Sequence, residues 1–246
     1  MRDALQRPAY LLGGARGAYA AAGARMRAET FARYVRARDL DREAPGMLGI
    51  GLIERVPRAD LPAWVAGVAA DYDGQFTLRT TGEAADLFLI RAIEPAAGNR
   101  AALGYDIGSE PLRRAAVERV FRTGEPTLTA PVRLLQAPES PGALWLTPVF
   151  ASGAARADGS PVVGAVYSPI LYPDLLRHVL PADETQGRFE LHDLDAAAGQ
   201  TQLFASPGTA GTGETRVVTF DFAGRRFAAH CEALPGLYAG LDTVPL

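Results

Sequence analysis

The order of apolar and polar positions along the chain predicts short strands and helices that follow one another irregularly. Apolar runs with the length of buried strands occur at 47–53, 86–93, 127–135 and 143–150. Between the first two runs, residues 57–70 carry apolar side chains at the three- and four-residue spacing of a helix. Because strands and helices do not alternate as they do in a parallel sheet, the pattern favours an α+β fold with antiparallel sheets.

Glycine, proline and capping residues predict where several of these elements begin and end. Ser109 is a good N-cap for the clearest helix, and Gly124 is a natural stop for it. Two prolines and a glycine within 136–142 predict a loop between the strands on either side. A turn at 71–74 is predicted to lead the chain into a further strand at 75–80.

The second half of the chain is predicted to repeat the plan of the first. Residues 151–160 are small and polar and suggest a connector between the halves. A strand, a helix and an antiparallel meander follow. The predicted elements are a strand at 162–168, a helix at 173–180 and strands at 188–194, 202–205, 216–222 and 225–231.

The first 45 residues form a distinct helical segment, with nine arginines against five acidic residues. Its larger apolar side chains, Leu5, Leu12, Tyr19 and Met26, recur every seven positions among alanines and glycines. Such a seam is typical of a helix that pairs with a second copy in a dimer. It is equally typical of an amphipathic helix that packs on its own domain, and both interpretations are open at this point.

Composition and charge restrict the class of protein. With 246 residues, 48% hydrophobic and 22% charged, the chain is expected to fold around a sizeable core. No apolar run approaches the ~18 residues of a membrane-spanning helix, and Gly13-Gly14 interrupts the apolar start, so neither a span nor an export signal is predicted. The net charge of −3, without a basic stripe, argues against nucleic-acid binding. A single cysteine, Cys231, leaves the redox compartment open.

Signals of catalysis are weak. The histidines His178, His192 and His230 fall on a predicted helix and two separate strands, without the spacing of a metal site. His230 and Cys231 are adjacent in a strand and point to opposite faces, so they do not form a nucleophile and base pair. We therefore predict no catalytic residue, no metal and no cofactor. A soluble hydrolase that uses the histidines is the alternative.

A series of short segments forms a recognisable pattern. The segments are FARYV at 31–35, PG at 45–46, LIERV at 52–56, GYD at 104–106 with Ser109, RRA at 113–115, TG at 123–124, LTAPVRLLQ at 128–136 and TPVF at 147–150. In this order they resemble the CHASE domain, the extracytoplasmic sensory module of histidine kinases, nucleotide cyclases and diguanylate cyclases or phosphodiesterases. That family includes the cytokinin-binding domain of plant receptor kinases.

The resemblance implies a long N-terminal stalk helix followed by two PAS-like α+β subdomains. We therefore expect a stalk region at 1–45, a membrane-distal subdomain with the ligand pocket at 46–160, and a membrane-proximal subdomain at 161–246. The domain would be periplasmic or extracellular, part of an inner-membrane receptor whose transmembrane helices and output module lie outside this chain. A small-molecule ligand and a homodimer through the N-terminal helix would carry the signal. A module that binds only a protein partner is the alternative.

Two strands of the predicted distal subdomain supply a candidate ligand site. Asp86 and Phe88 share one strand face, and a carboxylate buried there would demand a donor, from the ligand or from an arginine. Asp86 could instead start its strand at the solvent edge. In cytokinin-binding members an aspartate and a threonine hydrogen-bond an adenine-like ring, and the resemblance assigns these roles to Asp86 and Thr129. Thr147, on the next strand, would complete the wall. The predicted ligand is adenine-like or another small organic molecule.

Overall fold

A computed structural model of the chain describes residues 2–22, 26–73, 76–151, 159–177, 187–207 and 215–233. The α-helices in these ranges are α1 (Arg2–Ala22), α2 (Ala28–Arg36), α3 (Leu40–Glu43), α4 (Leu61–Ala69), α5 (Pro111–Thr123) and α6 (Tyr172–Arg177). The strands are β1 (Ile50–Pro57), β2 (Asp86–Glu94), β3 (Thr127–Leu128), β4 (Val132–Leu134), β5 (Ala137–Phe150), β6 (Val162–Leu171), β7 (Gly187–Asp193), β8 (Gln202–Ala205), β9 (Thr215–Phe222) and β10 (Arg225–Ala233).

Two antiparallel sheets form the frame of the protein. The first sheet has the strand order β2–β1–β6–β5–β3, and β4 pairs with β5 beside this path. The second sheet has the order β8–β7–β10–β9. The predicted α+β class, with an N-terminal helix ahead of two antiparallel sheets, is therefore confirmed. The assignment of the two sheets to PAS-like subdomains stays a prediction.

Strand β6 lies in the middle of the first sheet. Its Tyr167 is opposite Gly51 of β1 and opposite Leu146 of β5. The first sheet therefore continues to Leu171, past the limit at residue 160 that the small, polar connector had predicted. A connector can join two strands of one sheet as readily as two subdomains. The division of the chain into subdomains stays a prediction.

Two loop and strand predictions are wrong for identifiable reasons. The described part of 75–80 forms a single bridge, Arg79 with Tyr105, because its backbone pairs with the loop ahead of α5 and not with a sheet. The predicted loop at 136–142 is largely strand, since β5 begins at Ala137. There β5 pairs with β4 on one side only, while its pairing with β6 starts at Gly142, so prolines without an N–H are tolerated on the open side.

The N-cap of helix α5 lies one residue later than predicted. The side chain of Glu110 caps the helix, accepting hydrogen bonds from the backbone N–H groups of Leu112 and Arg113 at 3.0 Å each. The hydroxyl of Ser109, the predicted cap, instead donates to the buried carboxylate of Asp106. Gly124 ends the helix in the left-handed conformation, as predicted.

Helix α1 packs on its own chain. Leu12, Tyr19 and Met26 are buried in a core shared with β5 and β6, so the prediction that these three form a dimer contact is wrong. The side chain of Leu5 lies outside the described residues. The same heptad spacing serves both arrangements, and here the helix covers a sheet and not a second copy. None of the described helices is long and apolar enough to cross a membrane.

The first sheet buries both of its faces. One face packs against α1, α2 and the second sheet, through a core that includes Leu52 and Trp145. The other face packs against α5, through a core that includes Val117 and Leu144. Side chains that alternate along β5 therefore enter two different cores, and this alternation decides which predicted site residues can meet.

Candidate functional site

A narrow cavity lies between the first sheet and the first half of α5; we call it the α5 cavity. Its walls come from β2, β4, β5, β6, α5 and the loop between β2 and α5. The lining residues are Ile90, Ala102, Tyr105, Ile107, Arg113, Leu134, Leu135, Gln136, Leu144, Tyr167 and Pro169. The free volume is about 20 Å³, which is enough for a single water molecule.

Two polar side chains in this wall carry buried atoms without a hydrogen-bond partner among the described residues, Tyr167 Oη and Arg113 Nε. A buried donor that is left unpaired costs roughly 1–3 kcal/mol, so native structures normally avoid it. Burial also raises the pKa of Tyr167 well above its ordinary value, so the hydroxyl keeps its proton. Both residues line the cavity, and each has one donor atom without a hydrogen-bond partner among the described residues.

The position of Tyr167 follows from the sheet. Its ring lies over Gly51 on the neighbouring strand β1, where a Cβ atom would collide with the ring. Only glycine at position 51 leaves room for a tyrosine on this face of the sheet. The pair thus places a phenol in the middle of an otherwise apolar layer.

Arg113 is held at the cavity by three contacts. Its Nη2 donates to the carbonyl oxygen of Arg133 at 2.8 Å, and its guanidinium carbon lies 5.5 Å from the ring centre of Tyr105. Its Nε lies 3.8 Å from a carboxylate oxygen of Glu110, too far for a hydrogen bond. The side chain is therefore fixed and partly charge-compensated, yet retains an unused donor.

The predicted site residues Asp86 and Phe88 do not line this cavity. Asp86 starts β2, with about a third of its side chain exposed, and accepts a hydrogen bond from Arg55 Nη2 at 2.6 Å. Of the two donors expected for this carboxylate, a ligand or an arginine, the structure therefore contains the arginine. Phe88 is buried against Phe121, with ring centres 5.3 Å apart. Both residues border an open groove that also includes Arg122.

The two predicted threonines are both buried but have different surroundings. Thr129 is fully buried, and its hydroxyl accepts a hydrogen bond from the backbone N–H of Leu144, a residue of the cavity wall. Thr147 is buried on the sheet face that it shares with Trp145 and Val149 toward α1. The four predicted residues thus do not form one cluster, and a ligand contact by any of them stays a prediction.

Sequence reasoning missed Arg113 and Tyr167. Arg113 is on the buried face of α5 together with Ala116, Val117 and Val120. An arginine at an apolar position of a helical pattern was the available signal. Tyr167 gave no comparable signal, because a tyrosine in an apolar strand is ordinary until its surroundings are known.

A second polar cluster joins α1 to the opposite side of the first sheet. Glu54 accepts hydrogen bonds from the hydroxyl of Tyr19 at 2.7 Å, from the indole N–H of Trp64 at 2.7 Å and from Arg91 Nη1 at 2.8 Å. Burial alone would raise the pKa of Glu54, but the charge of Arg91 and these hydrogen bonds lower it overall. One carboxylate therefore connects α1, β1, β2 and α4.

We expect Glu54→Gln to lower the stability of the protein by about 1–3 kcal/mol at neutral pH. Since the folded pKa of Glu54 lies below its unfolded value near 4.5, the stabilisation is present above that value and is lost as pH falls through the folded pKa. The difference between wild type and variant should therefore shrink between pH 7 and pH 3. Urea unfolding at both pH values measures this. Glu83→Gln, at an exposed position, is the control, and a pH-independent difference would contradict the role of Glu54.

The far end of α5 contacts the second sheet. The turn between β9 and β10 lies against α5, where Gly224 is so close to Arg119 that a Cβ would come within 2.8 Å of Arg119 Nε. The backbone N–H of Leu128 donates to the carbonyl oxygen of Ala223 at 2.9 Å. Helix α5 thus has the cavity near its first turn and the second sheet near its last.

These features describe an α+β domain with an internal cavity between a helix and an antiparallel sheet. The family profile described as the CHASE domain matches residues 24–204, which is more than half of the chain. The protein therefore belongs to the CHASE domain family, as the short segments predicted. That family consists of extracellular sensory domains of signalling receptors. No individual curated protein matches the sequence significantly.

Proposed function

We propose that this chain is the ligand-sensing domain of a transmembrane signalling receptor, and that a small carboxylate binds in the α5 cavity. The observation that carries the proposal is the pair of buried donors, Tyr167 Oη and Arg113 Nε, which belong to residues of the cavity wall and lack a hydrogen-bond partner among the described residues. A ligand that accepts from both would pair two buried donors in place of the single water molecule for which the cavity has room.

The chemistry of the α5 cavity favours an anion with a compact apolar body. A guanidinium binds a carboxylate through charge-assisted hydrogen bonds, and a neutral phenol beside it supplies a further donor. Ile90, Ile107 and Leu144 make the walls apolar. An adenine-like ring offers acceptor nitrogens without a charge, so we expect it to bind more weakly than a carboxylate of similar size.

Binding in so small a cavity must be coupled to movement. A space of about 20 Å³ is far below the ~300 Å³ of a typical ligand site, so any organic ligand has to displace α5 from the sheet. A ligand shifts a conformational equilibrium only if it binds one state better, and here it would favour the state with α5 lifted. The displacement would reach the second sheet through the contact between Arg119 and Gly224.

A thermal-shift panel tests this proposal. Acetate, propionate and benzoate are compared with acetamide, propionamide and benzamide, which have the same shapes without the charge, and with benzylamine and adenine. We expect at least one carboxylate to raise the melting temperature more than its amide, because ligand stabilisation grows as RT ln(1 + [L]/Kd). Sodium chloride at the same ionic strength is the control for screening of surface charge.

Two outcomes would contradict the proposal. Equal shifts with a carboxylate and its amide would show that the buried donors do not select for charge. Stabilisation by benzylamine or adenine but by none of the carboxylates would favour a site built around a carboxylate such as Asp86.

A further inference from the structure

The outer face of the second sheet brings two histidines and a glutamate together. Glu190 and His192 lie two residues apart on β7, and His230 of β10 is directly opposite Glu190. The ring centres of His192 and His230 are 4.6 Å apart, and His192 Nε2 is 2.9 Å from a carboxylate oxygen of Glu190. One potential ligand atom from each residue lies within 4.8 Å of the others.

These three residues match the ligand set of a transition-metal ion. Imidazole nitrogen and carboxylate oxygen are ordinary zinc ligands, and three protein ligands leave a fourth position for water. Tetrahedral zinc with bonds of about 2.1 Å requires ligand atoms roughly 3.4 Å apart. The present separations of up to 4.8 Å exceed this distance by about 1.4 Å, which a small rotation of a partly exposed side chain can close. The carboxylate is already oriented, since its other oxygen is 2.5 Å from Arg188 Nη2.

The position of the cluster also favours binding over a purely structural role. All three side chains are partly accessible from solvent, so an ion can enter without unfolding of the sheet. Cys231, the next residue along β10, points to the other face and is not available as a ligand. The cluster is on the second sheet, remote in sequence and in fold from the α5 cavity.

We propose that Glu190, His192 and His230 form a binding site for a divalent transition-metal ion, for which Zn²⁺ is the best match. The ion would tie β7 to β10 and so add a cross-link to the second sheet. The proposal does not depend on the ligand chemistry of the α5 cavity.

Isothermal titration of the whole chain with ZnCl₂ at pH 7.5 tests the site, because the imidazoles must be neutral to bind. We expect one ion per chain and a rise in melting temperature. His192→Ala and His230→Ala should each weaken Zn²⁺ binding by more than ~10-fold. Mutating a residue that only orients a metal ligand already costs about 10-fold or more in affinity, and losing the ligand itself should cost at least as much. Glu190→Gln, which keeps the shape of the side chain, should weaken it too. Circular dichroism verifies that each variant is folded.

Cys231→Ser and His178→Ala are the matched controls, since they remove the chain's thiol and its third histidine. Both should bind Zn²⁺ as the wild type does. Loss of binding in either control, with retained binding in His192→Ala and His230→Ala, would place the ion elsewhere and overturn the proposal. The absence of any heat at tens of micromolar Zn²⁺ would overturn it as well.

Discussion

Arg113→Met is expected to abolish the stabilisation that a carboxylate such as benzoate gives to this protein. Methionine preserves much of the length and apolar stem of arginine but removes the charge at the α5 cavity. Truncating one partner of a buried charge pair costs about 2–5 kcal/mol, which is a loss of roughly 30-fold or more in affinity. Titration calorimetry with benzoate on wild type and variant measures this loss. Arg113→Lys should restore only part of the affinity, because an ammonium lacks the planar fork.

Two further variants decide where benzoate binds. Tyr167→Phe removes the hydroxyl that has no partner among the described residues, so it should weaken benzoate binding while leaving the stability of the protein unchanged or higher. Arg122→Met changes an exposed arginine on the same helix that borders the open groove beside Asp86. A loss of affinity in Arg122→Met, without a loss in Arg113→Met, would move the site to the groove.

Asp193→Ala is expected to cause the largest loss of stability, about 3–5 kcal/mol. The Asp193 side chain is fully buried and accepts hydrogen bonds from Arg225 Nε at 2.6 Å and Nη2 at 2.9 Å. Its removal would leave the guanidinium of Arg225 buried without its carboxylate. Urea unfolding followed by circular dichroism measures the free energy of unfolding.

Asp195→Ala is the matched control for this prediction. Asp195 is exposed at the same turn and accepts a hydrogen bond from the backbone N–H of Arg226 at 2.8 Å. We expect it to cost no more than about 1 kcal/mol, the range of exposed ion pairs. An equal loss of unfolding free energy in the two variants would show that the buried Asp193–Arg225 pair contributes no more stability than an exposed one.

The sequence predicted those elements whose signal is local. Strand β2 was placed to within one residue, because its apolar run is bounded by charged residues, and the helix that ends at Gly124 was found from its apolar spacing. The strand predicted at 75–80 failed, because its polar backbone groups are satisfied by the loop around Gly104. The residues at 75–80 contain no local pattern that would predict hydrogen bonds to this loop.

The candidate site could be predicted only in part, because it depends on strand register. Asp86 was recognised as a carboxylate in need of a donor, but its partner, Arg55, is on another strand and becomes its neighbour only through the pairing of β1 with β2. His192 and His230 were assigned to separate strands, and only the register of β7 against β10 brings their rings together. A single sequence contains no direct record of such pairings.

The seam of helix α1 shows the same limit. Leu12 and Tyr19 have the spacing of a dimer contact, yet both are buried in the core of their own chain. An apolar stripe predicts that one face of a helix is buried, but it does not predict whether a sheet of the same chain or a second copy buries it.

A crystal structure of the protein soaked with benzoate tests most directly whether a small carboxylate binds in the α5 cavity. We expect a carboxylate oxygen within hydrogen-bond distance of Tyr167 Oη and Arg113 Nε, with α5 displaced from the first sheet. Benzoate bound in the groove beside Asp86 and Arg55, with α5 and Tyr167 in their present positions, would contradict this expectation.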